Sequence, residues 1–186
     1  IESRSESFPQ GKSMIVCATR RICVRLHDML KEIHPEWYDE RDNEGVMKVI
    51  MTGSASDNWQ EHIRNSTRRG QLGDRFRDPD DDFRIAIVCD MWLTGFDAPS
   101  LTTMYIDKPM KGHGLMQALA RVNRAFKDKT GGLVVDYFGL SARIAEAVNL
   151  YTASKGRGSI VVDIEEAEIL LKECHEVVQN MFHTID

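Results

Sequence analysis

Two arginines that follow a glutamine at regular spacing form the pattern with the clearest chemical potential. Gln117, Arg121 and Arg124 occur in the segment HGLMQALARVNRAF, residues 113–126. On a helix, residues three and four positions apart project from one face. Two guanidinium groups one turn apart present forked donors that suit a phosphate group. Taken alone, the pattern fits an ordinary amphipathic helix with exposed arginines equally well.

A second candidate segment is CDMWLTGFDAP, which runs from Cys89 to Pro99 directly after an apolar stretch. Gly95 permits a tight backbone turn, and Asp97 supplies a carboxylate beside that turn. By itself the segment is also typical of a plain turn, because it is rich in turn-forming residues.

A third motif, Gly11-Lys12-Ser13, has the ending of a phosphate-binding loop but not its beginning. The full pattern G-x-x-x-x-G-K-[ST] needs a glycine at position 6, where the chain has Glu6. Such a loop also follows a strand and opens a helix, whereas here the apolar run comes after the motif. We therefore interpret the three residues as a polar lead-in to a first strand, and expect another part of the protein to hold any nucleotide phosphates.

Alternating strands and helices are expected to position these segments. The strands predicted from apolar runs are 14–18, 46–51, 83–89, 103–106 and 132–137, and the predicted helices are 20–34, 58–70 (capped by Asp57) and 114–125. Apolar strands separated by helices indicate an α/β fold with a parallel sheet covered on both faces. In such sheets the ligand crevice lies beyond the carboxyl ends of the strands, so we expect the functional residues to follow the strands.

The charge of the chain limits its mode of binding. Its 186 residues carry a net charge of −5 at pH 7, which argues against a grip on nucleic acid by bulk electrostatics. A local basic strip remains possible. Arg64, Arg68, Arg69, Arg75 and Arg77 are close in sequence and DPDDDF follows them; we interpret these runs as a solvated helix face and a capped turn.

The cysteines, histidines and hydropathy indicate the compartment of the protein and whether it binds a metal or spans a membrane. Four separated cysteines predict buried, reduced thiols in a cytoplasmic protein. The six histidines form no ligand cluster in the sequence; we place His27 and His34 on a solvated helix surface and predict no metal site. No apolar run approaches the roughly 20 residues of a membrane span, and a start without Met suggests an excised fragment.

The chain is expected to comprise a polar lead-in at residues 1–12, a main domain at 13–140 and a helical extension at 141–186. The extension contains a helix at 141–151, a flexible link at 155–158 and a capping box formed by Asp163 and Glu166. An apolar helical stripe from Ala167 to Phe182 follows, and such a stripe needs a packing partner.

In this order, the segments resemble motifs V and VI of superfamily 2 helicases and translocases. Cys89-Asp90 through Asp97 is similar to the family's T-D-x-x-x-x-G-x-D, and Gln117 through Arg124 is similar to its Q-x-x-x-R-x-x-R. Residues 15–20, IVCATR, lie where motif IV belongs. The stretch 91–140 resembles more specifically the restriction (R, motor) subunit of type I restriction–modification enzymes, through the phrases Asp107-Lys108-Pro109, Lys111-Gly112-His113 and Val135-Asp136-Tyr137.

The resemblance implies the second RecA-like domain of a motor that couples ATP hydrolysis to movement along double-stranded DNA. In this family ATP lies between two RecA-like domains, and the first supplies the phosphate loop and the Mg²⁺ ligands. The expected partners are DNA, the modification and specificity subunits, and the first RecA-like and nuclease domains of the same chain. The 186-residue chain alone is expected to be inactive and to hold no cofactor tightly.

The resemblance also assigns roles to individual residues. Arg121 and Arg124 would reach the γ-phosphate, with Gln117 supporting them, and Gly95 and Asp97 would lie near the ribose and the interdomain cleft. The residues expected at the DNA backbone are Thr19, Arg20, Thr52 and Gly53. Cys89 replaces the family's threonine, which removes the hydroxyl contact expected there.

Two alternatives stay open at this point. The chain could be a motor domain of another superfamily 2 protein, such as an RNA or repair helicase. It could also be a RecA-like domain that binds other proteins and has no part in ATP hydrolysis.

Overall fold

The computed structural model describes residues 11–110, 112–124 and 131–139. All of them belong to the first of two compact units, Ile1–Ala147. The predicted helix at 141–151, the link, the capping box and the apolar stripe lie outside the described residues, as do residues 1–10 of the predicted lead-in.

Five strands form one parallel sheet, as the apolar runs predict. They are β1 (Lys12–Cys17), β2 (Met47–Ile50), β3 (Ile85–Val88), β4 (Leu101–Asp107) and β5 (Leu133–Asp136). Their order across the sheet is β2-β3-β1-β4-β5, and every neighbouring pair is parallel. The central strand β1 therefore lies between β3 and β4.

Three helices connect these strands: α1 (Arg20–Ile33), α2 (Ser66–Arg77) and α3 (Gly112–Val122). A short 3₁₀ turn, Pro35–Trp37, follows α1. Thr19 caps α1 by accepting a hydrogen bond from the Ile22 N–H at 3.2 Å, and Pro35 cannot continue that helix. None of the described helices is long and apolar enough to cross a bilayer.

The sheet has a separate apolar core on each face, because successive side chains of a strand point to opposite sides. One core joins α1 to alternate strand residues such as Ile15, Val49 and Ile87. The other joins α2 and α3 to Met14, Val88 and their neighbours. The described residues therefore form the expected three layers, with helices on both sides of a parallel sheet.

The prediction of a helix at residues 58–70 is wrong. Helix α2 begins at Ser66, and its N-cap is Asn65, which accepts a hydrogen bond from the Arg68 N–H at 2.9 Å. The preceding segment is irregular because tertiary contacts hold it: Ile63 forms an isolated parallel bridge with Met51. Asp57 does not cap a helix but instead accepts a hydrogen bond from the Ser54 N–H.

The arginine run is only partly a solvated helix face. Arg64 precedes α2 and is 5% exposed, with its Nε 2.5 Å from the Asp42 carboxylate. Arg75 is largely buried and forms two hydrogen bonds with the Asp81 carboxylate, at 3.0 and 2.8 Å. The exposed members are Arg68 and Arg77. Two of the arginines therefore hold the fold together.

Lys12 is also not part of a polar lead-in. It lies within β1 and is completely buried. Its Nζ donates to the main-chain oxygens of Asp81 and Phe83, both at 2.8 Å. Burial lowers the pKa of Lys12 to about 8.

The expected burial of the cysteines is confirmed for three of them, whereas the expected exposure of His27 is wrong. Cys17, Cys23 and Cys89 are free and buried; Cys174 lies outside the described residues. His27 is 3% exposed and lies on the buried face of α1.

Candidate functional site

The strand order brings several of the candidate segments to one edge of the sheet. Strands β3 and β4 flank β1, so the segments that follow these three strands leave the sheet side by side. In open parallel sheets this carboxyl edge is where ligands bind. The segment after β3 starts at this edge with Cys89 and Asp90, and its other end, near Asp97, leads into the start of β4 at Leu101. The segment after β4 begins at Lys108.

Two aromatic side chains anchor the Cys89–Pro99 loop. Trp92 and Phe96 stack with ring centroids 4.1 Å apart and planes 7° from parallel, and both are buried. They pack against Phe76 of α2. Gly95 between them has φ +69°, a left-handed conformation that glycine adopts at little cost. The turn therefore leaves Gly95 and Asp97 exposed at the rim.

A third contact, from α2, fixes the position of Asp97. Arg77 Nε donates to the main-chain oxygen of Asp97 at 3.1 Å. The guanidinium of Arg77 also lies 4.6 Å from the centre of the Phe96 ring, within range of a cation–π attraction. No local pattern predicts this role, because Arg77 belongs to a run of arginines that the sequence indicates is solvated.

Asp97 and Arg124 lie together. Asp97 Oδ2 is 3.2 Å from Arg124 Nη1, and both side chains are about half exposed. The predicted helical position of Arg124 is wrong, since α3 ends at Val122. Arg124 follows the helix in irregular backbone and still reaches the turn that contains Asp97. The contact joins the two segments that carried the strongest sequence patterns.

The other two predicted residues of this group lie on α3. Leu115, Ala118 and Val122 are buried against the sheet, and Gln117 and Arg121 are half-buried. Arg121 Nε is buried without a hydrogen-bond partner in the part of the chain that the structure describes. A buried donor in this condition is costly unless a ligand satisfies it.

Lys108, which sequence reasoning did not select as a site residue, ties the end of β4 to the end of β3. Its Nζ donates to the Cys89 main-chain oxygen at 3.1 Å and pairs with the Asp90 carboxylate. This hydrogen bond from Lys108 lowers the pKa of Asp90, whereas burial raises the pKa of the Cys89 thiol. Cys89 is therefore a neutral thiol, and the ion pair lies one residue further on.

Arg20 and Thr52, two of the residues predicted at the nucleic-acid backbone, are in contact. Arg20 Nη1 donates to the Thr52 main-chain oxygen at 3.0 Å and to Asp57 Oδ2 at 3.2 Å. The hydrogen bond from the Ser54 N–H is the main cause that lowers the pKa of Asp57, and the nearby charge of Arg20 lowers it further. Gly53 lies beside this cluster, and a Cβ added there would meet the Ile63 side chain at 2.4 Å.

Thr19 connects this cluster to the rest of the edge. Its hydroxyl oxygen accepts the capping bond of α1, which leaves the hydroxyl hydrogen to donate to a ligand. The neighbouring Ala18 main-chain oxygen lies 3.7 Å from Cys89 Sγ. The ends of β1 and β3 are thus in direct contact.

The chain matches the family model described as type I restriction enzyme subunit R domain 3 over residues 27–139. It is 48% identical over 179 residues to the type I restriction enzyme HindI endonuclease subunit of Haemophilus influenzae, covering 94% of this chain. It is 39% identical over 189 residues to a MjaIXP endonuclease subunit of Methanocaldococcus jannaschii, described as putative, covering 100% of this chain. The chain spans 17% of the length of each of these relatives.

A solved structure supports the fold. The C-terminal domain of Dbp5 from S. cerevisiae, determined with Gle1 and IP6, matches with a TM-score of 0.50 and 17% identity, over 92% of this chain and 89% of that one. Together with the all-parallel five-stranded sheet, this likeness shows a RecA-like α/β fold. The family match excludes the alternative of an unrelated superfamily 2 protein. The described residues form a RecA-like fold, most of which lies in the region that matches domain 3, and the chain belongs to the type I restriction enzyme R subunit family.

Proposed function

We propose that this chain is the second motor domain of an ATP-dependent DNA translocase and endonuclease subunit of a type I restriction enzyme. It supplies one wall of an ATP cleft, and the first RecA-like domain of the same protein supplies the other. Its relatives are endonuclease subunits, and the contact between Asp97 and Arg124 is the observation in this chain that carries the proposal.

The chemistry around Asp97 and Arg124 suits the phosphate groups of ATP. Arg121 holds a buried Nε that has no partner among the described residues, and Arg124 is half exposed beside the Asp97 turn. Guanidinium groups stabilise the charge that develops on phosphoryl oxygens during transfer. We assign Arg124 as the principal arginine at the γ-phosphate, Arg121 as its neighbour and Gln117 as their support. Gly95 and Asp97 face the ribose and the cleft.

Magnesium fits the other wall better than this one. Mg²⁺ is held by carboxylates and phosphate oxygens, and the two rim carboxylates described above, Asp90 and Asp97, are already paired with Lys108 and Arg124. We therefore assign the metal ligands to the first motor domain. The 186-residue chain alone should also not hydrolyse ATP, because the Gly11-Lys12-Ser13 motif leads directly into strand β1 and does not form a phosphate-binding loop.

The cluster around Arg20 is proposed as part of the DNA track. Thr19, Arg20, Thr52 and Gly53 are all exposed. Contacts from hydroxyl, guanidinium and main-chain groups to phosphates position a protein on DNA without reading sequence. The acidic net charge is compatible with this role because a translocase must also release its track. Recognition of sequence belongs in this proposal to the specificity subunit, which assembles with the modification subunit.

The proposal is tested by DNA-stimulated ATPase in the full-length subunit that contains this domain, assembled with its modification and specificity subunits. Arg124→Ala should reduce the rate by on the order of 10³-fold or more. Arg25→Ala is the matched control, because Arg25 is exposed on α1 away from the edge; its rate should stay within about twofold of wild type.

Two outcomes of this experiment would contradict the proposed motor function. If Arg124→Ala hydrolyses ATP at the wild-type rate while the complex still assembles, the assigned role is wrong. If no ATPase is found even in the intact wild-type complex, the domain serves as an interaction module.

A further inference from the structure

A cavity separate from the strand-end contacts contains two histidines that the proposed motor function does not use. It has a volume of about 140 Å³ and lies where α1, β2 and the segments flanking β2 meet. His27 of α1 and His62 of the β2–α2 connection line it and are 3% and 4% exposed. Their ring centroids are 4.7 Å apart, so residues distant in sequence place two imidazoles side by side.

Carboxylates complete a set of donors around these rings. His27, Asp28 and His62 each offer one donor atom within 4.8 Å of the others. His27 Nδ1 is 3.3 Å from Asp28 Oδ1, and His62 Nε2 is 3.4 Å from Glu61 Oε1. Ligands bound tetrahedrally to zinc at about 2.0–2.1 Å lie roughly 3.3 Å apart. The His27–Asp28 and His62–Glu61 pairs therefore have the required separation. Rotation of the side chains would bring the two pairs to the same distance from one another.

His62 provides an independent sign of a missing ligand. Its Nε2 is buried and has no hydrogen-bond partner among the described residues. Glu61 lies near this nitrogen without the alignment of a hydrogen bond. An unpaired buried nitrogen is unfavourable, and a metal ion bound to it would remove that cost.

The charges around the cavity are balanced, because the carboxylates of Asp39, Glu40 and Glu61 line it together with three cationic side chains. The cationic side chains are Lys48, Arg64 and Arg68, and each of them already has a partner. Arg64 and Arg68 both pair with Asp42, at 2.5 and 2.6 Å, and Lys48 donates to two main-chain oxygens. An anion would have to compete with Asp42 and the main-chain oxygens for these groups, whereas a cation meets the unpaired Nε2 of His62 and the carboxylate of Glu61.

We propose that His27, His62 and Asp28, with Glu61 as the fourth ligand, bind a divalent transition metal of the zinc class. Imidazole nitrogens with carboxylate oxygens suit zinc and its neighbours in the first transition row. The ion would tie α1 to the β2–α2 connection. That connection also carries Thr52 and Gly53, so the metal would hold their loop in place.

The first test is equilibrium dialysis of Zn²⁺ against the 186-residue chain. One ion per chain is expected, and His62→Gln should weaken its affinity roughly 100-fold. His34→Gln is the matched control: His34 lies just after α1, paired with Glu36, and its loss should leave the affinity unchanged. Asp28→Asn covers the case in which His62→Gln fails to fold, because Asp28 is exposed; this change should weaken binding about tenfold.

A second measurement identifies the ligands. Co²⁺ bound in place of zinc should give visible d–d absorption without thiolate charge-transfer bands, and Zn²⁺ should raise the unfolding temperature of wild type more than that of Asp28→Asn. Thiolate bands would assign the ion to cysteines and overturn the proposal. Absence of saturable Zn²⁺ binding, or equal affinity in wild type and both variants, would overturn it as well.

Discussion

The Asp97 carboxylate lies 3.2 Å from the Arg124 guanidinium, although a strand and a helix separate the two residues along the chain. Both side chains are about half exposed, and ion pairs of this kind contribute at most about 1 kcal/mol to stability. The contact therefore matters mainly because it fixes where Arg124 lies.

The first prediction separates these two effects. Asp97→Asn should change the free energy of unfolding by less than about 1 kcal/mol. In the full-length subunit assembled as proposed above, it should reduce DNA-stimulated ATPase on the order of 10²-fold, because it would misplace Arg124, the arginine proposed to act at the γ-phosphate, and a misplaced catalytic group loses about that much. Chemical denaturation and steady-state ATPase measure the two quantities. Asp82→Asn, at an exposed position before β3, is the control, and an equal loss of rate there would contradict the prediction.

The second prediction compares two arginines that share one carboxylate. Arg64 and Arg68 both bind Asp42, but their side chains are 5% and 49% exposed. Arg64→Leu should lower the free energy of unfolding by about 3–5 kcal/mol, because it leaves a largely buried carboxylate short of a partner. Arg68→Leu should cost less than about 1 kcal/mol. Urea denaturation of both variants decides the matter, and similar losses would show that burial does not set the strength of this network.

The third prediction concerns the aromatic anchor of the Cys89–Pro99 loop. Phe96 is 6% exposed and stacks on Trp92, so Phe96→Ala should lower the free energy of unfolding by about 3–5 kcal/mol. Phe138, which follows β5 and is 49% exposed, is the matched control, and its change to Ala should cost less than about 1 kcal/mol. A loss at Phe96 no greater than that at Phe138 would mean that the stack does not hold the loop.

The sequence was sufficient for the sheet because its strands are buried on both faces. Runs such as FRIAIVC are nearly continuous in apolar residues, and only a covered parallel sheet explains several of them separated by helices. That topology does not by itself predict the meeting of Asp97 and Arg124, because Asp97 lies just before β4 and Arg124 follows the helix α3. The spacing of apolar residues and the order of strands and helices can both be read from a single sequence.

The sequence was insufficient wherever a contact between distant residues overrode a local signal. Asp57 and Asn65 both precede helix-compatible residues, and only the bridge between Ile63 and Met51 shows that the second one begins the helix. Lys108 is likewise a polar residue without local pattern, and its role depends on Cys89 and Asp90. His27 and His62 become neighbours only when α1 packs on the sheet.

The last prediction follows from the burial of Lys12. Burial is the largest cause that lowers its pKa from 10.5 to about 8, and the nearby charge of Arg84 adds to it. Between about pH 8 and pH 10.5, the folded protein therefore binds fewer protons at Lys12 than the unfolded chain does. The free energy of unfolding should therefore rise with pH across this window, by on the order of 1–3 kcal/mol from this group. Below pH 8 the cost of burying the ammonium is fully present.

Lys12→Met tests this dependence. The variant loses the donor to the Asp81 and Phe83 oxygens, so it should be less stable than wild type, and its deficit should widen as the pH rises from about 7.5 to about 10. Urea denaturation at both pH values measures the difference. Lys48, whose pKa is also lowered to about 8, is present in both proteins and cancels. Lys31→Met, at an exposed position on α1, should keep the wild-type slope, and a constant deficit in Lys12→Met would show that the buried amine does not titrate in this range.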